Sequence, residues 1–212
     1  MTHIMIKQLI MIDVMYNVKV YRCGGHMKVS REQVAENRQK ILDAASRLFR
    51  AQGFDAVTVA DVMKAAGLTH GGFYGYFKSK DDLIAQTLAF LTAQGERANT
   101  DVAQYAAGYL SRAHCDDVAG GCPIAALGTE TVRQTPEARA AMAEALRKRI
   151  ECFAASAPQP NAAIVRRTAI GSYAAMVGAV ILARLAQDPT LSNEVLAQTH
   201  AWILESAKSS AG

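Results

Sequence analysis

Apolar residues recur at helical spacing over most of the chain, and no stretch alternates apolar and polar residues as a half-buried strand would. Ile41, Ala44, Ala45, Leu48 and Phe49 make the first stripe. Ser30-Arg-Glu-Gln33 upstream reads as a capping box that opens this helix, and Gly53 reads as the residue that stops it. Thr58 with Asp61 predicts a second, short helix whose inner face is Val59, Val62 and Met63 and whose end is Gly67. A third short segment runs from Thr69 to Phe77. Ser79 with Asp82 caps a fourth helix carrying Leu83, Ile84, Leu88 and Leu91. Further helices are expected near 101–113, 123–134, 136–155, 161–187 and 193–208. Thr135-Pro136 is a favourable entry, because proline at the first helical position lacks only an N–H that would be unbonded anyway. Asp188-Pro189 and Ser192 separate the last two helices. The predicted fold class is all-α, with three helices at the front and a larger helical body behind.

Composition sharpens this picture modestly. The second half is rich in alanine, which favours helix. The net charge of +4 is uneven. Residues 27–80 hold nine basic side chains against five acidic ones, whereas from Asp81 onward 13 acids face 11 bases. A basic front on a slightly acidic body suits a protein that meets a polyanion at one end. The four cysteines, Cys23, Cys115, Cys122 and Cys152, have neither disulfide-framework nor zinc-ribbon spacing, so a reducing cytoplasm is expected and no cofactor or metal. The first apolar stretch, from Ile4 to Val20, is broken by Lys7, Asp13, Asn17 and Lys19 and is expected neither to span a membrane nor to act as a signal peptide. Met27 opens an ordinary charged arm. Residues 1–27 are therefore expected to be an N-terminal extension, disordered or lying upstream of the true start.

The segment from Thr58 to Lys80 carries the most chemistry. Two short helices joined by a tight glycine turn form a helix-turn-helix, whose second element enters the DNA major groove. Phe73 and Phe77, four residues apart, are expected to anchor that element in the core, leaving His70, Tyr74 and Tyr76 for bases and phosphates. Gly71 and Gly72 remove side chains, which lets backbone approach the DNA. Lys80 at the next helix start offers its charge beside free backbone N–H groups.

Ile41-Leu-Asp-Ala-Ala-Ser-Arg-Leu-Phe49, Gly53-Phe54, Thr58-Val-Ala-Asp-Val-Met-Lys-Ala-Ala-Gly67 and Gly72-Phe-Tyr-Gly-Tyr-Phe-Lys-Ser-Lys80 together resemble the TetR/AcrR family of transcriptional regulators. The resemblance implies a homodimeric repressor with two reading elements in successive major grooves of a palindromic operator. It places Thr58, Tyr74, Tyr76 and Lys80 on phosphates and Thr69, His70, Gly71 and Gly72 nearest the base edges. The family pattern usually carries a larger side chain where this chain has Gly75. Residues 28–80 would then be the DNA-binding domain and 81–212 the effector-binding and dimerisation domain. The resemblance also implies that the last two helices, about 161–208, pair two subunits as a four-helix bundle, with Leu196, Trp202 and Ile203 as anchors on the final one.

A second informative stretch runs from His114 to Ile124. Gly120-Gly121 reads as a flexible turn, and Cys122-Pro123 opens a helix, where free N–H groups favour a thiolate. Cys122 is thus a candidate for oxidant or electrophile sensing, with Cys115 as a resolving partner. The bland alternative is a small buried residue. A metal site from His114, Cys115, Asp116 and Cys122 has no strong spacing behind it. The run from Gly121 to Glu130 is similar to one in a TetR branch, some of whose members sense oxidants through the matching cysteine. Phe90, Tyr105, Tyr109, Phe153, Tyr173 and Met176 are candidate linings of an effector pocket. Rival readings are a Cys122/His114 thiol hydrolase, which lacks a third orienting group and an oxyanion motif, and a purely structural helical dimer. The apolar run Ala162–Leu185 has the length of a membrane span. Its many small residues and charged ends point instead to a buried interface helix.

Overall fold

The computed structural model of the protein describes residues 30–95, 101–156 and 161–209. The expectation for residues 1–27 lies outside them. The chain divides into a unit ending at Ala35, of which Ser30–Ala35 are described, and a compact unit from Glu36 onward. Among the described residues all regular structure is helical: α1 (Arg31–Gln52), α2 (Val59–Ala65), a 3-10 turn (His70–Gly75), α3 (Lys80–Gln94), α4 (Val102–Tyr109), α5 (Arg112–Asp116), α6 (Pro123–Thr131), α7 (Pro136–Ser156), α8 (Ala162–Leu185) and α9 (Pro189–Ser209).

Local chemistry sets most boundaries. Ser30 Oγ accepts the Gln33 N–H at 3.1 Å and opens α1. Thr58 and Asp61 form a reciprocal capping box on α2, and Ser79 caps α3 through the Asp82 N–H. A cap of this kind contributes about 1 kcal/mol. Gly53 leaves α1 at φ +84°, a conformation that strains any side-chain-bearing residue. α9 starts earlier than expected. Asp188 accepts the N–H groups of Thr190 and Leu191, so the cap lies there, while Ser192 is inside the helix and donates its hydroxyl to the Ala183 carbonyl.

One expected helix is two. The span 101–113 breaks at Leu110–Ser111 into α4 and α5. The His114 ring takes the Tyr109 carbonyl at 2.6 Å, which a continuing helix would give to the residue four ahead. Ser111 then caps α5 by accepting the His114 N–H.

Two apolar cores hold the unit together. The first joins Ile41, Leu42, Ala45 and Phe49 of α1 to Val62 and Met63 of α2, Phe73 and Phe77, then Leu83, Ile84 and Leu88 of α3. Leu127 of α6 and Ala138 and Met142 of α7 belong to it as well. Phe49 meets Phe54 edge to face at 5.3 Å; truncating such a buried ring costs about 3–5 kcal/mol. The second core is built on α8, whose Ala169, Tyr173, Met176, Ala179, Val180 and Ala183 pack against α4, Cys115 of α5, Phe153 of α7, and Leu196 and Ile203 of α9. By length and composition α8 is apolar enough to cross a membrane. Here this stripe is core, and Arg166, Arg167 and Arg184 sit on the same helix. Leu196 and Ile203 are therefore committed within the subunit, while Trp202 remains half exposed at 51%.

Candidate nucleic-acid interface and thiol-lined cavity

The α2–turn–3-10 unit is fastened from below. Phe73 and Phe77 are buried and stack at 5.7 Å, as their spacing predicts. Arg38 of α1 lies over the Phe77 ring at 5.5 Å and donates to Gln86, which in turn donates to Asp82. The segment expected to read DNA is a 3-10 turn, not an α-helix; three glycines in six residues leave an α-helix poorly supported.

The outward side presents Thr69, His70, Gly71 and Tyr74, all exposed, Tyr74 at 75%. Side chains built at Gly71 or Gly75 would meet nothing within 4 Å, and at Gly72 only ordinary contacts. Internal packing thus gives no reason for glycine at these three positions. Tyr76 is half buried, and its hydroxyl accepts from Asn37 Nδ2 at 3.0 Å. Lys80 reaches the Asp55 carbonyl with its Nζ at 3.5 Å. Thr58 is exposed, but its hydroxyl proton is engaged by Asp61 at 2.5 Å and its N–H by the same carboxylate. That Thr58 bond helps hold the Asp61 carboxyl below its ordinary range.

The protein also holds a cavity of about 1070 Å³. Its walls include Tyr105 of α4, His114 of α5, Gly120 to Ile124, Tyr173 of α8, and one face of α7 formed by Ala145, Lys148, Arg149, Cys152 and Ala155. Of the six expected lining side chains only Tyr105 and Tyr173 line it; Tyr109, Phe153 and Met176 belong to the second core, and Phe90 packs against the first.

The Gly120-Gly121 turn is a close-packed structure rather than a loose one. Gly120 donates to Asp117 Oδ1, and a side chain at Gly120 would collide with that carboxylate. At Gly121 it would meet the Asp117 carbonyl at 2.7 Å, with His114 and Arg184 next. His114 is locked as one neutral tautomer. Its Nδ1–H donates to the Tyr109 carbonyl, so its Nε2 accepts the Cys122 N–H at 3.1 Å. Burial, helped by Arg184, holds its imidazole below the ordinary value against the opposing pulls of the Tyr109 carbonyl and Asp117.

Cys122 stands at the N-cap of α6, and its Sγ lies 3.6 Å from the Tyr173 hydroxyl. Burial first, and next the neighbouring Cys122, push the Tyr109 and Tyr173 phenols far up. Because His114 meets the Cys122 backbone and not its thiol, the pair does not form a nucleophile and base, which removes the geometry a hydrolase needs. Cys115 is buried in the second core and does not line the cavity; the thiol that does share it with Cys122 is Cys152. None of the three is in a disulfide. Among the described residues no group of three or more potential metal ligands is assembled.

Both ends of α6 touch the end of α1. Arg50 in the last turn of α1 donates Nη1 to the Gly121 carbonyl at 2.7 Å. Glu130 accepts the Phe54 N–H at 2.8 Å, and its carboxylate fills the space where a Gly53 side chain would stand. Sequence reasoning did not single out either residue. The only available signal was a charged side chain beside a helix stop and on a short helix.

Residues 41–87 match the sequence model of the family described as bacterial regulatory proteins, tetR family. The HTH-type transcriptional regulator AcrR of Shigella flexneri is 42% identical over 57 residues, which cover 27% of this chain and 26% of AcrR. TtgR of Pseudomonas putida is 36% identical over 59 residues, 28% of each chain. The match thus spans under a third of the length of these relatives. In fold, the chain is similar to the reduced form of E. coli NemR, with a TM-score of 0.66 at 21% identity over 79% of this chain and 96% of that one. It is also similar to a TetR regulator from Chloroflexus aurantiacus, with a TM-score of 0.60 at 22% identity over 82% and 96%. Residues 41–87 thus carry the tetR family's sequence pattern, and the chain as a whole is similar in fold to solved TetR regulators.

Proposed function

We propose that this protein is a cytoplasmic DNA-binding repressor. Its 3-10 element reads a palindromic operator, and its operator binding is relieved by an event in the cavity. The observation that carries the reading is the division of labour within the reading element: Phe73 and Phe77 are buried, while Thr69, His70, Gly71 and Tyr74 face solvent. A rigid, outward-facing set of small and polar groups is what a major groove accepts. Tyr74, Tyr76 and Lys80 are assigned to phosphates, and so is Thr58 once its hydroxyl turns from Asp61. Thr69, His70, Gly71 and Gly72 are assigned to base edges.

Two subunits pair through the outer faces of α8 and α9. Ile170, Leu182, Leu185, Leu191 and Trp202 are large apolar side chains left exposed there, and a side chain added at Gly171 or Gly178 would meet nothing within 4 Å. The relieving event is a small molecule in the cavity or modification of Cys122 by an oxidant or electrophile. Either acts on the loop that holds Arg50 and shifts the population of subunits whose reading elements match the operator spacing.

The test is an operator-shift assay across salt concentrations with Lys80→Ala and Tyr74→Phe. Each variant is expected to weaken binding several-fold, and Lys80→Ala to reduce the salt slope by about 1. Unchanged affinity in both removes the phosphate assignments. Peroxide and quinone challenge of the complex with Cys122→Ser separates the two relieving events; release equal to the parent's makes Cys122 structural.

A further inference from the structure

We infer that the cavity is built for an organic anion with an aromatic body, an aromatic carboxylate, whose charge is received by Arg50 and Arg149. The inference rests on the cavity being the effector site and names the chemistry of its ligand.

Among the described residues the walls carry three cations, Arg50, Lys148 and Arg149, and one acid, Glu151. Glu151 is already answered, since both its oxygens accept from Arg147 at 2.6 and 2.7 Å. Neither guanidinium has a carboxylate partner among the described residues. Arg50 donates Nε to the Ser46 carbonyl and Nη1 to the Gly121 carbonyl. Arg149 donates Nη2 to the Gly95 carbonyl. Carbonyls satisfy N–H groups without cancelling charge. A half-buried guanidinium held this way keeps most of its desolvation cost, and an anion brought to it gains charge-assisted bonds in a low-dielectric site. Burial accordingly lowers the Arg50 pKa, with Arg47 adding to the effect and only Asp117 and Cys122 opposing it.

The rest of the cavity suits a flat apolar body. Arg149 lies over the Tyr105 ring at 4.5 Å, which fixes the plane of its guanidinium. Tyr105 and Tyr173 offer ring surface, and Leu91, Ile124 and the alanines of α7 fill the remaining wall. An aromatic carboxylate satisfies cations and rings together. An amine of the same shape places charge against charge.

The test titrates the full chain calorimetrically with 2-naphthoate, 2-naphthamide, 2-naphthylmethylamine and decanoate. The expected result is that naphthoate binds at least tenfold tighter than the amide, with the amine weakest and decanoate weaker than naphthoate. Arg50→Gln and Arg149→Gln are expected each to erase the preference for naphthoate over the amide, and Arg50→Lys to restore part of it. Thermal melting of each variant reports folding independently. Equal or tighter binding of the amide or amine overturns the anion assignment while leaving the cavity an effector site. Equal binding of decanoate overturns the aromatic body. Saturable binding of none of the four overturns the effector reading of the cavity itself.

Discussion

Glu130 shows how far apart in sequence two halves of one local structure can lie. Its carboxylate satisfies the N–H of Phe54, a residue only 1% exposed, and occupies the space that Gly53 leaves empty. Glu130→Ala strands that buried N–H and is expected to destabilise the protein by about 1–3 kcal/mol. Chemical denaturation checks it; a loss under about 0.5 kcal/mol would mean that water replaces the carboxylate at no cost. The helix stop at Gly53 was legible, because glycine after an apolar stripe has a local meaning. Glu130 was not, because its partner lies 76 positions upstream and no local pattern marks it. The same holds for Cys122. Its place at a helix entry was readable, but its neighbours were not. The Tyr173 hydroxyl comes from α8 and Cys152 from α7, and tertiary packing put them there in place of the expected Cys115.

At the scale of elements, helix starts were legible at Ser30, Thr58 and Ser79, whose side chains cap their own helices, but not at Ser111 or Asp188, which do the same. The break between α4 and α5 was hidden, because it depends on which carbonyl the His114 ring selects. That ring has a measurable consequence. Its folded pKa lies below the ordinary 6.5, so the unfolded chain binds the proton more readily. The stabilisation is fully present above about pH 6.5 and is lost as pH falls through the folded value. Protonation also replaces an acceptor with a donor facing the Cys122 N–H. The stability of His114→Gln is expected to depend less steeply on pH between 7 and 5 than the parent's. Denaturant midpoints across that range test it, and parallel curves would contradict the neutral tautomer. Arg184, Asp117 and the Tyr109 carbonyl remain in the variant, so the difference between the curves belongs to the ring.

Across the whole molecule, α6 joins the two cores. Leu127 packs in the first and Ile124 against both, while Arg50 and Glu130 tie the helix's two ends to the end of α1. Cys122 follows directly on Gly121, whose carbonyl is one hydrogen bond from Arg50 of α1. The all-helical class and the order of elements were legible in hydrophobic spacing alone. Which apolar side chains face inward and which stay exposed was not, since both read as apolar; Leu196 and Ile203 turned inward and Trp202 did not. Leu182→Asp with Trp202→Glu is expected to yield folded monomers in analytical ultracentrifugation, with operator affinity reduced by more than tenfold. A variant that stays dimeric would move the interface elsewhere. The central claim, that two copies of this chain read DNA, is tested most directly by selecting binding sites from a random duplex pool with the full chain. The account predicts enrichment of an inverted repeat whose half-site centres lie about one helical turn apart, or a whole multiple of it, protected as one footprint. Failure to enrich any sequence, or enrichment of a single unrepeated site, would contradict it.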